Sequence, residues 1–299
     1  MKNRLLCLFG PTAVGKTDLL HSLCDKGVEV VSVDSIQIYR ELEIGSAKPS
    51  IEMLELIPHH LINILHFSQP FNVADFVRLA QEAVQDILRR GKIPLLCGGT
   101  AFYFFHFLYG FPEAPPSDPE VRQRIEHMKA EKGGEGLREI LSQVDPETHS
   151  RLAPADLYRI QRALEVYYTS GRPLSSFSRK GPLRTDFNLS IIGLERPREE
   201  LYRRIDQRVL DMMDRGLEAE VQALRRDGAV EIHPGMKAIG YREWFEAEKA
   251  GWKVSETVAR IQQYSRNYAK RQLTFFRSLE GVIWHHPQNQ EAIIKDWFG

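Results

Sequence analysis

Apolar and polar positions along the chain follow two different periods. Short, mostly apolar runs at 5–9, 28–33 and 93–97 each close on glycine or aspartate, as strands buried in a sheet do. The first follows Met1-Lys2-Asn3-Arg4 and runs straight into Gly10-Pro11-Thr12 without a small-residue cleavage site, so it predicts a core strand rather than a leader peptide. Residues 17–26 predict a short helix closed by Gly27. Within 75–90, Phe76, Leu79, Ala83, Val84, Ile87 and Leu88 recur at the 3.6-residue period of an amphipathic helix, which Gly91 stops. Residues 102–109 form an aromatic helix behind Gly98-Gly99-Thr100, read as core packing, with His106 a structural member of it. Strand, helix, strand, helix, strand in this order predicts a parallel sheet wrapped by helices.

The pattern changes at the proline-rich stretch 110–119. From there to about residue 184 it is helical, with no convincing strand; a strand returns at 189–194, helical segments around 198–227 and 255–279, and a last short strand at 281–284. The expected fold is α/β, a P-loop NTPase-like parallel sheet core built from 1–112 and 188–299, with a mainly helical insertion domain at 113–187.

Composition adds exclusions. Of 299 residues, 42% are hydrophobic and 27% charged, an ordinary globular balance, and no run reaches the roughly 18–20 apolar residues of a membrane span. Three cysteines, odd in number and set among apolar neighbours, argue against a disulfide framework or zinc site and for a cytoplasmic home. Forty basic residues balance forty acidic ones, but not evenly. Residues 151–184 carry seven basic and two acidic side chains; 257–277 carry Arg260, Arg266, Lys270, Arg271 and Arg277 with no acid, interleaved with Tyr264, Tyr268, Phe275 and Phe276. Two basic stretches on a neutral chain suit contact with a polyanion, and equally a solvated amphipathic helix.

Candidate chemistry begins at the first strand–helix junction. Gly10, Pro11, Thr12, Ala13, Val14, Gly15, Lys16 and Thr17 fit G-x-x-x-x-G-K-[ST] in the context that motif requires. Its glycines let backbone N–H groups converge on phosphate oxygens, Lys16 adds a full charge, and the Thr17 hydroxyl can ligate Mg²⁺. The loop holds a triphosphate or a diphosphate alike. No N-K-x-D guanine reader accompanies it, and no D-x-x-G follows a strand. Asp34 stands just past the second strand, at the sheet edge where ligands bind; it suits a general base, a Mg²⁺-organising carboxylate, or a turn cap. Gln37, Tyr39 and Arg40 on the same loop suit a planar heterocycle, and Gly98-Gly99-Thr100 would open a gap there with the Thr100 hydroxyl pointing in, or form a simple tight turn.

Together with Gly10–Thr17, the segments 33–40 (V-D-S-I-Q-I-Y-R), 44–49 (I-G-S-A-K-P), Pro58-His59-His60, Gly98-Gly99-Thr100 with Tyr103, 159–165, and Lys270-Arg271-Gln272 resemble the tRNA dimethylallyltransferases, in order over nearly the whole chain. The resemblance implies transfer of a dimethylallyl group from dimethylallyl diphosphate to N6 of the adenine at position 37 of tRNA, beside the anticodon, with Mg²⁺ and release of diphosphate. It implies that Asp34 takes the N6 proton, that Lys16 and Thr17 hold diphosphate and metal, and that Thr100 and Arg122 bear on tRNA binding and catalysis. Three segments match stretches that touch the tRNA anticodon stem-loop: Asp34, Ser35, Ile36 and Gln37; Tyr158, Arg159, Ile160, Gln161 and Arg162; and Lys237, Ala238, Ile239, Gly240, Tyr241 and Arg242. Val14 departs from the serine of many members. The chain ends without a Cys/His tract, like the bacterial form, and a cytoplasmic monomer is expected.

Other readings remain open on the residues alone. Arg204 and Arg208, one turn apart, suit a diphosphate clamp or a plain surface. A small-molecule or nucleotide kinase with ATP bound in the same loop would need an arginine lid, for which 172–184 is available. A nucleic-acid-binding ATPase lacks the apolar run ending in adjacent Asp-Glu. Asp211 and Asp214 have the D-x-x-D spacing of prenyl-synthase metal sites without the doubled aspartate, and read as a helix face.

Overall fold

The computed structural model describes residues 3–178 and 180–299; Met1 and Lys2 of the N-terminal segment and Arg179 of the basic stretch lie outside the described residues. Residues 3–108 with 184–299 form one compact unit and residues 109–183, apart from Arg179, another.

The first unit is a six-stranded sheet in the order β3-β2-β4-β1-β5-β6, with β1 Arg4–Phe9, β2 Val28–Val33, β3 His59–His60, β4 Ile93–Gly98, β5 Asn188–Leu194 and β6 Val282–His285. Every pairing is parallel. Every residue of β2, and all but the first of β1 and β4, is buried, which is why these strands read as near-continuous apolar runs without alternation. The connection after β1 leads to one side, to β2, and that after β4 to the other, to β5. The carboxyl ends of β1 and β4 therefore flank the switch point where such sheets bind ligands. Beneath them Phe9 stacks on Phe276 with ring centroids 4.3 Å apart, and Phe104 meets both edge-on.

Several elements differ from the sequence expectation. The helix after the phosphate loop is short, Lys16–Leu20, tightening into a 3₁₀ turn at His21–Leu23. The segment 198–227 is two helices, Arg198–Asp214 and Leu217–Arg226, parted by Gly216 at φ 95°. The edge strand β3 and the helices Ile51–Leu56, Arg242–Ala250 and Gln290–Phe298 show too few turns or repeats to register as periodicity, yet the last buries Ile293 and Trp297 against the sheet. Among the described residues no helix is long and apolar enough to cross a membrane.

The second unit is helical: Pro119–Val144, interrupted at Gly133, then Pro146–Arg151 and Leu157–Ser170. Ile125, Leu137, Leu141, Ile160, Ala163 and Leu164 form its core.

Candidate active site

The loop after β1 is shaped by steric necessity. A Cβ on Gly10 would lie 2.7 Å from the Leu194 carbonyl oxygen, and Gly15 adopts φ 110°, a left-handed conformation that costs glycine alone no strain. Lys16 curls over the loop, its Nζ donating to the carbonyl oxygens of Gly10 (2.9 Å) and Pro11 (3.0 Å). Arg204 Nε donates to the Ala13 carbonyl (2.9 Å), and Arg196, whose Nη1 is held by Glu200, donates its Nε–H to that of Val14 (2.7 Å). Burial pulls the Lys16 pKa down to about 8, a shift that a bound anion opposes. The Val14 side chain is fully buried in the core beneath the loop, so the residue that departs from serine is a packing residue.

β2 delivers Asp34. Its Oδ1 accepts the N–H groups of Ile36 (2.8 Å) and Gln37 (3.2 Å), an Asx-type turn, while Oδ2 has no hydrogen bond among the described residues. Capping thus occupies one carboxylate oxygen and leaves the other available. Gly98 abuts Val33 so closely that a Cβ would sit 2.1 Å from the Val33 carbonyl oxygen. That closeness lets Gly99 and Thr100 both donate their N–H to this oxygen (3.2 and 3.1 Å). The Thr100 hydroxyl does not point into a gap: it accepts the Ser35 N–H (3.1 Å), bracing the backbone beside Asp34.

One cavity of about 730 Å³ joins these parts. Thr12–Thr17, Asp34–Gln37, Lys237–Gly240 and Arg242 line it. Six basic side chains, Lys16, Arg204, Arg208, Lys237, Arg242 and Arg271, face three acidic ones, Asp18, Asp34 and Asp211, so a chain without net charge places its positive excess here. Burial lowers the Arg208 pKa and the Asp34 carboxylate opposes that lowering, which places guanidinium and carboxylate in one electrostatic environment. Ile36, Val209, Met212, Ile239 and Ile261 supply an apolar part of the same lining.

Some expectations change. Of Gln37, Tyr39 and Arg40 only Gln37 lines the cavity, and its amide is already bonded to Ser32 and to the Ala47 carbonyl (3.2 Å). Tyr39 is buried with its hydroxyl on the Gln69 carbonyl, and Arg40 reaches the Ile64 carbonyl. Tyr241 is fully buried rather than presented to a partner: its hydroxyl donates to Glu220 (2.7 Å), whose carboxylate also accepts the N–H groups of Glu43, Ile44 and Gly45. Ile160 is likewise a core residue of the second unit. Arg122 and Arg162 there share the buried Glu165 (2.7 and 3.0 Å), Gln161 bonds Glu126, and Tyr158 and Arg159 are exposed. Asp211 lines the cavity, hydrogen-bonded to Gln207 (2.9 Å), and Asp214 does not. The sequence patterns include Tyr268 and Gln272 without giving either a place in the site, and pass over Ser265; all three line the cavity from the helix Val254–Phe276. Their signal is a polar stripe at i, i+3 and i+7 on a face that Ile261, Ala269 and Phe276 otherwise bury.

The geometry describes a site for an anion with an apolar tail beside a carboxylate. Comparison with known proteins agrees. Residues 37–279 match the family model described as IPP transferase, and residues 3–62 that described as isopentenyl transferase. A Geobacillus thermodenitrificans protein named tRNA dimethylallyltransferase is 40% identical over 97% of this chain and 93% of its own length. A Borrelia turicatae protein of the same name is 39% identical over 99% and 98%. The crystal structure of a full-length tRNA isopentenylpyrophosphate transferase from Bacillus halodurans matches with a TM-score of 0.71 at 34% identity, covering 99% of this chain and 97% of its own. A eukaryotic dimethylallyltransferase captured acting on tRNA has the same fold, with a TM-score of 0.79 at 24% identity over 99% of this chain and 79% of its own. Matched from end to end by relatives of one name and by a family model over most of its length, the chain belongs to the IPP transferase family, that of the tRNA dimethylallyltransferases.

Proposed function

We propose that this protein transfers the dimethylallyl group of dimethylallyl diphosphate to N6 of the adenine at position 37 of tRNA, releasing diphosphate. The observation that carries the reading is the cavity itself. A phosphate loop and a surplus of basic side chains share one space with the apolar residues Ile36, Val209, Met212, Ile239 and Ile261, and Asp34 stands in the wall. An allylic diphosphate uses both parts, the basic one for its anion and the apolar one for its five-carbon chain.

In the reaction the allylic C–O bond breaks, the C–N6 bond forms, diphosphate departs and the N6 proton passes to the free oxygen of Asp34. The allylic cation is delocalised, so the charge of the leaving group is what most needs stabilising; Lys16, tied to the loop carbonyls, and Arg208 in the cavity wall supply positive charge for it within the site. Asp34 relieves the positive charge that develops on a poorly nucleophilic amine. Among the described residues no cluster of three or more His, Cys, Asp or Glu is arranged for a metal. Mg²⁺ needs only one or two protein groups beside waters and the substrate's own phosphates: the Thr17 hydroxyl in the cavity wall would hold it, and it would neutralise diphosphate charge. The adenine must leave its stack, at a cost of a few kcal/mol. Contacts from Lys237–Arg242, from the second unit's exposed Tyr158 and Arg159, and from Arg122 would offset that cost. A cytoplasmic site accords with the tRNA substrate.

The kinase reading loses its lid. Arg184 is bound to Asp186, Gln81 and the Phe107 carbonyl, Arg172 stacks on Phe177, and Arg179 lies outside the described residues. The test is incubation with labelled dimethylallyl diphosphate and an anticodon stem-loop, with γ-labelled ATP in parallel. Allyl label should enter the RNA, and only when adenine stands beside the anticodon. Phosphoryl transfer without allyl transfer would overturn the reading.

A further inference from the structure

The last paired residues of β1 and β4 are Phe9 and Gly98, and beyond them the two strand ends separate. Across that gap lies one amide. Gln272 Oε1 accepts the Thr12 N–H (3.0 Å) and Gln272 Nε2 donates to the Gly99 carbonyl (2.7 Å). Its side chain is nearly fully buried, at 4% exposure. A Cβ on Gly99 would lie 2.6 Å from Nε2, so the absence of a side chain at 99 is what lets the amide seat. One planar group, accepting on one edge and donating on the other, continues the ladder past the point where backbone pairing ends.

We propose that Gln272 is a positioning residue that sets the separation between the anion-holding loop and the Asp34 carboxylate. The route is short. Thr12 begins the loop that Lys16 ties from within through Gly10 and Pro11. Gly99 precedes Thr100, whose hydroxyl holds the Ser35 N–H beside Asp34. Leaving group and proton acceptor are thus referenced to the same side chain. A displacement of about 1 Å between reacting groups lowers the rate by roughly 10²-fold. This rests on the transfer reading above.

The test exploits the likeness between glutamine and protonated glutamic acid. Gln272→Met keeps the length and loses both hydrogen bonds. We expect its turnover at saturating substrates to fall about 100-fold, with stem-loop affinity within about threefold of the unmutated protein. Gln272→Glu as the carboxylate sets an oxygen against the Gly99 carbonyl; as the neutral acid it restores one acceptor and one donor. Burial raises the pKa of that carboxyl, so its rate relative to the unmutated protein should recover at least about tenfold between about pH 8 and about pH 6, while the Met variant stays flat. A protein merely loosened by substitution shows no such recovery. A flat Glu ratio, or a Met variant turning over normally, would overturn the proposal. Should either variant melt out, Gln272→Asn, one methylene short of the bridge, decides by the same rate criterion. An unmutated protein that transfers no allyl group would sink the functional reading instead; active protein with a flat ratio sinks only this one.

Discussion

Asp34 has two tasks in the structure, and two substitutions separate them. Asparagine at 34 retains a carbonyl oxygen where Oδ1 now accepts from Ile36 and Gln37. Alanine removes both bonds. At about 1.5 kcal/mol for each hydrogen bond to a charged acceptor and about 1 for a neutral one, Asp34→Ala should lower stability by about 3 kcal/mol and Asp34→Asn by about 1. The chemical loss is common to both: without a proton acceptor, transfer should slow by about 10²–10⁴-fold, or roughly 3–5 kcal/mol in the barrier. Asp34 is also a neighbouring negative charge for Lys16 and Arg208, so pyrophosphate should bind the Asn variant no more weakly than the parent. Single-turnover transfer to a stem-loop, urea melts and pyrophosphate titration measure the three quantities. An Asn variant that transfers within threefold of the parent would refute the assignment, as would one whose rate loss is matched by a collapse of the melt.

Two further outcomes follow from the charges. Lys16 loses its proton near pH 8 because burial disfavours the ammonium; the charged form is the one that binds an anion, so pyrophosphate affinity should hold below that pH and fall above it, by up to about tenfold per unit, and Lys16→Met should lack this component. Lys270 is exposed and makes no ion pair among the described residues, whereas Arg266 is tied to Asp206; Lys270→Ala should therefore reduce the slope of log affinity against log salt for the stem-loop by about 0.7–0.9 and Arg266→Ala by less, and a slope unchanged in both would place the RNA elsewhere.

What could be read from the residues was whatever is local. Strands covered on both faces announce themselves as apolar runs, and the phosphate loop is eight consecutive residues whose spacing is itself the geometry. β3, two residues at the sheet edge, has no pattern to show. The side chains that align the site are a different matter. Gln272 meets Thr12 from 260 residues away, and Glu220 meets Gly45 from 175; neither pairing leaves a mark in local periodicity. Arg208 shows the limit from the other side: helical spacing cannot tell a clamp from a solvated face, and the fold turns this arginine into the cavity. Motif segments also contain residues that serve only to hold them, as the buried side chains of Tyr241 and Ile160 do.

The Glu220 carboxylate gathers the turn at 43–45 and the hydroxyl of Tyr241 around one point. Where the phosphate cradle is one continuous loop, braced from outside by Arg196, Arg204 and Gln272, this side of the chamber is a joint, assembled from stretches that meet only once the whole unit has closed. Injury at the joint and injury at the cradle should therefore look unlike each other: the first leaves a protein that still captures its donor and has lost the seat for its acceptor, the second the reverse.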